Sequence, residues 1–149
     1  MKKVISKIWG HEEIFINSKN YCFKKLNLVV NFISSYHYHI KKDESFIIGE
    51  NSSDIYMCVE GIKFKMQPGD FIHMPPGYKH QFAAMKNAPT YFYEVSTEDS
   101  SEDSIRLTKS GVYVLPVSIL YGLQTFRNLC NSKYDINGNP TFPITPFEK

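Results

Sequence analysis

Short runs in which apolar and polar residues alternate, or in which apolar residues cluster, recur every eight to twelve positions along most of this chain. The runs are Glu13 to Asn17, Tyr21 to Asn27, Val29 to Tyr38, Ser45 to Ile48, Ile55 to Val59, Ile62 to Met66, Asp70 to His73, His80 to Ala84 and Tyr91 to Ser96. Between them stand turn-forming segments: Asn17 to Asn20, Glu50 to Asp54, Glu60 with Gly61, Gln67 to Asp70, and Pro75 to Gly77. A two-residue period broken at regular intervals by Gly, Pro and Asn predicts many short strands, hence an all-β sandwich or barrel. Alternation places Ser35, His37, His39, Phe46, Phe64, Met66, His80 and Phe82 on the inward face.

The pattern changes after Gly111. Val112 to Val117 can form one more strand, interrupted by Pro116, and Ser118 can cap a helix running to about Cys130, because Ile119, Leu123, Phe126 and Cys130 fall at helical spacing. Residues 131–149 carry three prolines and an Asn-Gly pair and read as an extended arm. The organisation expected is therefore a barrel with its N-terminal arm over 1–111, followed over 112–149 by a strand, helix and Pro-rich tail packed on that barrel or on a partner subunit.

Composition fits this picture. With 149 residues, 42% of them hydrophobic, the chain can bury about 70% of its unfolded surface in one core. Twenty-one residues are Tyr or Phe, which suits the wide interior of a barrel. The net charge is +2 and the lysines are dispersed, so no basic tract argues for nucleic acid. No apolar stretch reaches the ~18 residues of a membrane span, and residues 1–7 lack the apolar region of a secretion signal; the expectation is a soluble cytoplasmic protein. The three cysteines, Cys22, Cys58 and Cys130, show no paired spacing, and the first two sit in strand-like runs where a thiol is usually a small buried apolar group. The acidic segment Glu98 to Asp103 lacks the Gly and ligand spacing of a calcium loop; Ser100 and Asp103 read there as a capping or turn element.

Candidate chemistry concentrates in two segments about forty residues apart: His37-Tyr38-His39 with Glu44, and Pro75 to His80. On a strand His37 and His39 point the same way, Glu44 heads the next apolar run, and His80 follows a rigid turn in which Gly77 can take positive φ. A lone His-x-His is most often a pair of packed residues, but three imidazoles and a carboxylate in register can hold a divalent transition metal, whether Mn, Fe, Co, Ni or Zn, with coordination positions left open.

The run His37-x-His39-x4-Glu44 resembles the first cupin motif, and Gly69-x5-Pro75-x-Gly77-x2-His80 resembles the second, with a match at every ligand position. Where the first motif usually closes on Gly, this chain has Asn51, which tolerates left-handed backbone better than most residues. The segments Lys7 to Glu13, Glu94 to Thr97 and Asp103 to Arg106 resemble the sugar-metabolism branch, which includes the cupin domain of type II mannose-6-phosphate isomerases and small stand-alone sugar isomerases; the likeness covers roughly residues 5 to 110. The resemblance implies an all-β cupin jelly-roll barrel with a C-terminal helix and tail, and metal ligation by His37, His39, Glu44 and His80. It also implies a metal-dependent sugar or sugar-phosphate isomerase or epimerase working through a metal-stabilised cis-enediolate. Glu44 is then the first candidate for the proton-carrying base and Glu94 the second, while Lys42, Lys79 and Arg106 are candidates to hold a substrate phosphate or carboxylate. The same ligands would serve a metal-dependent dioxygenase or a non-catalytic sugar-binding cupin. Cupins commonly form homodimers, and one is expected here, with Trp9 and the tail as interface candidates.

Overall fold

The computed structural model describes residues 2–130. Strands β1 (Lys3–Lys7), β2 (Gly10–Asn17) and β3 (Cys22–Leu28) form an antiparallel meander with a bulge in β2 at Ile14 to Ile16. The chain then crosses through β4 (Phe32–Ile33) and β5 (His37–His39) and returns as β6 (Glu44–Ile48). A hairpin of β7 (Ile55–Val59) and β8 (Ile62–Met66) leads to β9 (Phe71–Met74), β10 (His80–Ala84) and β11 (Tyr91–Ser96). A 3-10 turn at Ser101–Asp103 precedes the short strands β12 (Ser104–Arg106) and β13 (Gly111–Val112), and two helices follow, α1 (Val117–Gly122) and α2 (Phe126–Cys130).

These strands form two facing antiparallel sheets. One has the order β1-β2-β3-β11-β6-β9; the other runs β12-β5-β10-β4-β13, with β7 joined to β10 and β8 to β7. The alternation predicted from the sequence is visible in β3, where Cys22, Lys24, Leu26 and Leu28 are buried and the residues between them are not. It is visible again in β11, where Phe92, Glu94 and Ser96 point inward. Between the sheets lies a core rich in Phe and Met. Phe46, Phe82 and Phe92 pack ring against ring, and Trp9 meets the edge of Phe82 with centroids 5.2 Å apart. Trp9 is thus a core residue rather than the interface candidate it seemed in sequence, because its position at the β1–β2 turn faces the barrel interior. Cys22 and Cys58 are buried free thiols, as expected.

Three expectations are corrected. The run Val29 to Tyr38 is not one strand: Asn31 takes φ +68° ahead of β4, and between β4 and β5 the Ser35 and Tyr36 N–H groups donate to the side chains of Ser110 and Thr108, so that β4 and β5 pair with different parts of β10. The single helix expected from Ser118 to Cys130 is two short helices separated by Leu123 to Thr125, where Lys65 N–H donates to Gln124 O and pulls the chain into a bridge with β8. Pro116, not Ser118, occupies the first cap position. Asn51 does not need left-handed backbone, since Asn31 and Glu60 are the non-Gly residues with positive φ among those described. Gly77 does adopt it, at φ +89°.

The apolar faces of the helices cover the chain's own barrel. Phe126 is buried beside Phe64, Ile119, Leu120 and Leu123 pack over the cluster of Ile33, Tyr56, Cys58 and Ala83, and the Arg127 guanidinium pairs with buried Asp70. The proposed tail at 131–149 lies outside the described residues. Among those described, no helix is long and apolar enough to cross a membrane.

Candidate metal centre and its buried charge network

Cross-strand register builds the site. β5 carries His37 and His39 on one face, and β10 starts on His80, which is directly opposite His37 in the β5–β10 pairing. Met74 pairs with Glu44 at the head of β6, and the Pro-Gly turn that follows β9 is tied back to β5 by a hydrogen bond from Gly77 N–H to His39 O (2.8 Å). The His37, His39 and His80 rings converge so that one nitrogen of each lies within 4.8 Å of the others. Glu44 Oε1 lies 3.1 Å from His80 Nε2 and 3.8 Å from His39 Nε2.

The ring orientations suit metal ligation. Nδ1–H of His37 donates to the Ser35 carbonyl (2.8 Å), with the Ser35 hydroxyl 3.2 Å away, and Nδ1–H of His80 donates to the Tyr78 carbonyl (3.0 Å). A carbonyl can only accept, so each ring keeps its proton on Nδ1 and leaves the Nε2 lone pair free for the centre. All three imidazoles stay neutral at physiological pH: burial pushes His37 and His39 down to about 3 and His80 down to about 4. Burial works the other way on Glu44, pushing its carboxyl up to about 8 although Lys42 opposes the shift. A proton there can be donated to His80 Nε2, which has only a lone pair to offer.

These groups line a cavity of about 180 Å³ whose wall is also formed by Trp9, Leu26, Phe46 and Phe82. Six of the residues predicted to face inward, Ser35, His37, His39, Phe46, His80 and Phe82, line it, and Phe64 and Met66 belong to the core beneath. Glu94 lines it too, which settles the face that the sequence left open.

Beside the imidazoles lies a network of buried charges. Lys42 pairs with Glu94, with Asp99 (2.9 Å) and with Glu44 (3.2 Å); Lys24 pairs with Asp99 (3.2 Å), Glu94 (3.4 Å) and Glu12 (3.8 Å). Burial alone would strip the proton from Lys42, but Glu94, Glu44 and Asp99 outweigh it and hold the ammonium above its ordinary range. Burial would likewise protonate Glu94, but Lys24 and Lys42 keep its carboxyl below the usual value, so it is ionised. Four acidic side chains, those of Glu12, Glu44, Glu94 and Asp99, thus face three lysines, since Lys7 lies 3.6 Å from Glu12, and a metal cation that displaces the Glu44 proton adds positive charge where acids are in excess. The donor set, the ring orientations and the charge therefore fit a divalent transition metal held by His37, His39, His80 and Glu44.

The three cationic candidates separate. Lys42 lies within the cavity but is engaged by carboxylates rather than available to a substrate anion. Lys79 does not line the cavity; its ammonium pairs with Glu60 at 3.5 Å, because the Glu60–Gly61 turn lies against the start of β10. Arg106 does line the cavity, exposed at its edge and opposite His37 in the β12–β5 pairing, and among the described residues no carboxylate lies within 4.0 Å of it. Sequence reasoning missed Lys24, Glu12 and Asp99. The alternation of β3 could have revealed Lys24, since it shares a face with Cys22 and Leu26.

No family model and no curated protein matches the chain. Solved structures do. The chain is similar to KdgF from Halomonas sp. (TM-score 0.55, 14% identity, over 62% of this chain and 81% of that one). It is similar to oxalate decarboxylase from Bacillus subtilis (TM-score 0.60, 18% identity, over 71% of this chain and 30% of that one), a protein with Mn(II) centres. It is also similar to the capsular polysaccharide assembling protein CapF from Staphylococcus aureus (TM-score 0.61, 13% identity, over 72% of this chain and 32% of that one). The chain thus spans about a third of the length of the last two. Taken with the two facing antiparallel sheets, these likenesses establish the fold as the cupin β-barrel, with His37, His39 and His80 as its candidate metal site.

Proposed function

We propose that this protein is a metal-dependent isomerase or epimerase of a small sugar or sugar phosphate. The observation that carries the reading is Glu94: a buried, ionised carboxylate facing the same cavity as three neutral imidazoles. A divalent metal bound by His37, His39, His80 and Glu44 would supply Lewis-acid polarisation of adjacent carbonyl and hydroxyl oxygens of an open-chain sugar. The protein's own groups do the rest. Glu94 takes the proton from the carbon beside the carbonyl and returns it to the neighbouring carbon, while the hydroxyl proton passes from one oxygen to the other, so the aldose becomes a ketose with no change in oxidation state overall. Lys42 holds Glu94 ionised and oriented, and Ser96 Oγ–H donates to Glu94 Oε1 (3.1 Å) from the same strand. Phe46, Phe82 and Trp9 exclude water from the deep side of the cavity. Arg106, at the edge, is placed to hold a phosphate or carboxylate at the far end of the substrate.

The test is conversion of free and phosphorylated aldoses by the metal-loaded protein, in heavy water and without oxygen. Interconversion with deuterium appearing at C1 of the ketose, and at C2 of aldose re-formed from it, lost in Glu94→Gln with metal content unchanged, is the expected result. Turnover that requires oxygen, or full activity in Glu94→Gln, overturns the reading.

A further inference from the structure

His37 and His80 each have a carbonyl behind the ring; among the described residues His39 has none. Its Nδ1 is buried and makes no hydrogen bond among the described residues, while its Nε2 faces Glu44. For Nε2 to offer a lone pair to a metal, Nδ1 must carry a proton, and a buried N–H without an acceptor is unfavourable. Among the described residues the nearest carboxylate oxygen is Asp103 Oδ2, 3.8 Å from Nδ1. Asp103 ends the 3-10 turn that Ser100 caps through its side chain, and its carboxylate is fixed by the main chain of the loop between β5 and β6. Oδ1 accepts from Lys41 N–H (2.9 Å), and Oδ2 accepts from Lys42 N–H (2.9 Å) and more weakly from Lys41 N–H (3.3 Å). The Asp103 carbonyl accepts from Ile40 N–H (3.2 Å), and Ser104 pairs with His39 itself across β12 and β5. A carboxylate oxygen has room for another donor beyond these amides.

We infer that Asp103 is the positioning carboxylate of the metal centre: it accepts the Nδ1–H of His39, fixes the ring with Nε2 toward the site and raises metal affinity. The acidic segment before β12 is then part of the metal centre, although none of its side chains touches the ion. This rests on the metal site and not on the reaction proposed above, so a protein that binds metal and isomerises nothing leaves it intact.

Carboxylates behind ligating histidines are typically worth about 10–100-fold in metal affinity. The experiment is a Zn²⁺ titration of the full chain in competition with a chromophoric chelator, on the parent, Asp103→Asn, His39→Ala and the double variant. Asp103→Asn weakens Zn²⁺ binding about 10–100-fold in the parent and less than about two-fold in the His39→Ala background, because the carboxylate acts through that ring. Unchanged affinity in Asp103→Asn overturns the inference, and so does an equal loss in both backgrounds, which would make Asp103 only a tether for the Ile40 to Lys42 loop. The unsubstituted protein gives a second reading: in the Zn²⁺-loaded form, nitrogen-proton NMR should find the His39 proton on Nδ1 and slow to exchange. A proton on Nε2 overturns the inference even if Asp103→Asn does not fold.

Discussion

His80 stands directly across from His37 in the antiparallel pairing of β5 with β10, and the two ring centroids are 4.4 Å apart. One register therefore delivers two candidate ligands from strands far apart in sequence, and His39 joins them from the same face of β5. A one-residue slip would turn His80 out of the cavity. His37→Ala and His80→Ala should each weaken Zn²⁺ binding by more than the roughly 100-fold that outer-sphere losses produce. Mass-spectrometric metal content after gel filtration checks this, and full metal in both variants would refute the ligand set.

Metal should also stabilise the fold. At a free concentration 100 times the dissociation constant, binding to the native state alone contributes about 2.7 kcal/mol, so the melting temperature of the parent should rise with added Zn²⁺ and fall with a chelator. In His37→Ala that response should be absent.

Lys24, with 4% of its side chain exposed, sits among Glu12, Glu94 and Asp99. Lys24→Met fills similar space but leaves Glu94 and Asp99 to Lys42 and Glu12 to Lys7, and the loss of one partner from a buried ionic network costs about 3–5 kcal/mol. Urea unfolding should register the loss, and a change under about 1 kcal/mol would mean the network is solvated rather than buried.

Asp99 gives a pH signature. Burial favours its neutral form, but Lys24 and Lys42 outweigh burial and hold its carboxyl below the usual range. A carboxyl with a depressed native pKa contributes stability that is present above the unfolded value of about 4 and is lost as pH falls toward the native one. Asp99→Asn should therefore be less stable than the parent at pH 7, by on the order of 1–3 kcal/mol given its partial exposure, with the gap narrowing at pH 3. Urea midpoints at the two pH values measure it; a constant gap would place the effect in packing.

Phe46 is 1% exposed and touches His80, Phe82 and Phe92 with ring centroids at 5.6, 6.4 and 4.7 Å. Phe46→Ala should cost about 3–5 kcal/mol and weaken metal binding as well, since it removes the wall against which His80 is seated. Unaltered metal affinity in a destabilised variant would show that the carbonyl of Tyr78 alone fixes that ring.

The barrel was legible because its strands bury one face each and the period is two: Cys22, Lys24, Leu26 and Leu28 in β3, or Phe92, Glu94 and Ser96 in β11, leave little freedom of register. The imidazoles were legible for the same reason, with the turn at Gly77 supplying the third. Asp99 was not, since it sits on a connection that has no period, and the carboxylates that engage Lys42 were not, since they are distant from it in sequence. Lys24 was hidden by chemistry, because a lysine beside a second lysine reads as a wet surface until opposing carboxylates are known. The break at Leu123 was hidden because it comes from a main-chain bond to β8 that no side-chain pattern records.

The acceptors behind His37 and His80 belong to the main chain, and this makes them indifferent to mutational drift. Residues 35 and 78 can change identity and still present the same oxygen, so two of the three rings inherit their orientation from the path of the backbone. His39 has no such inheritance: a single codon change at position 103 is enough to remove the only carboxylate near its outer nitrogen among the described residues, while the barrel around it stays intact.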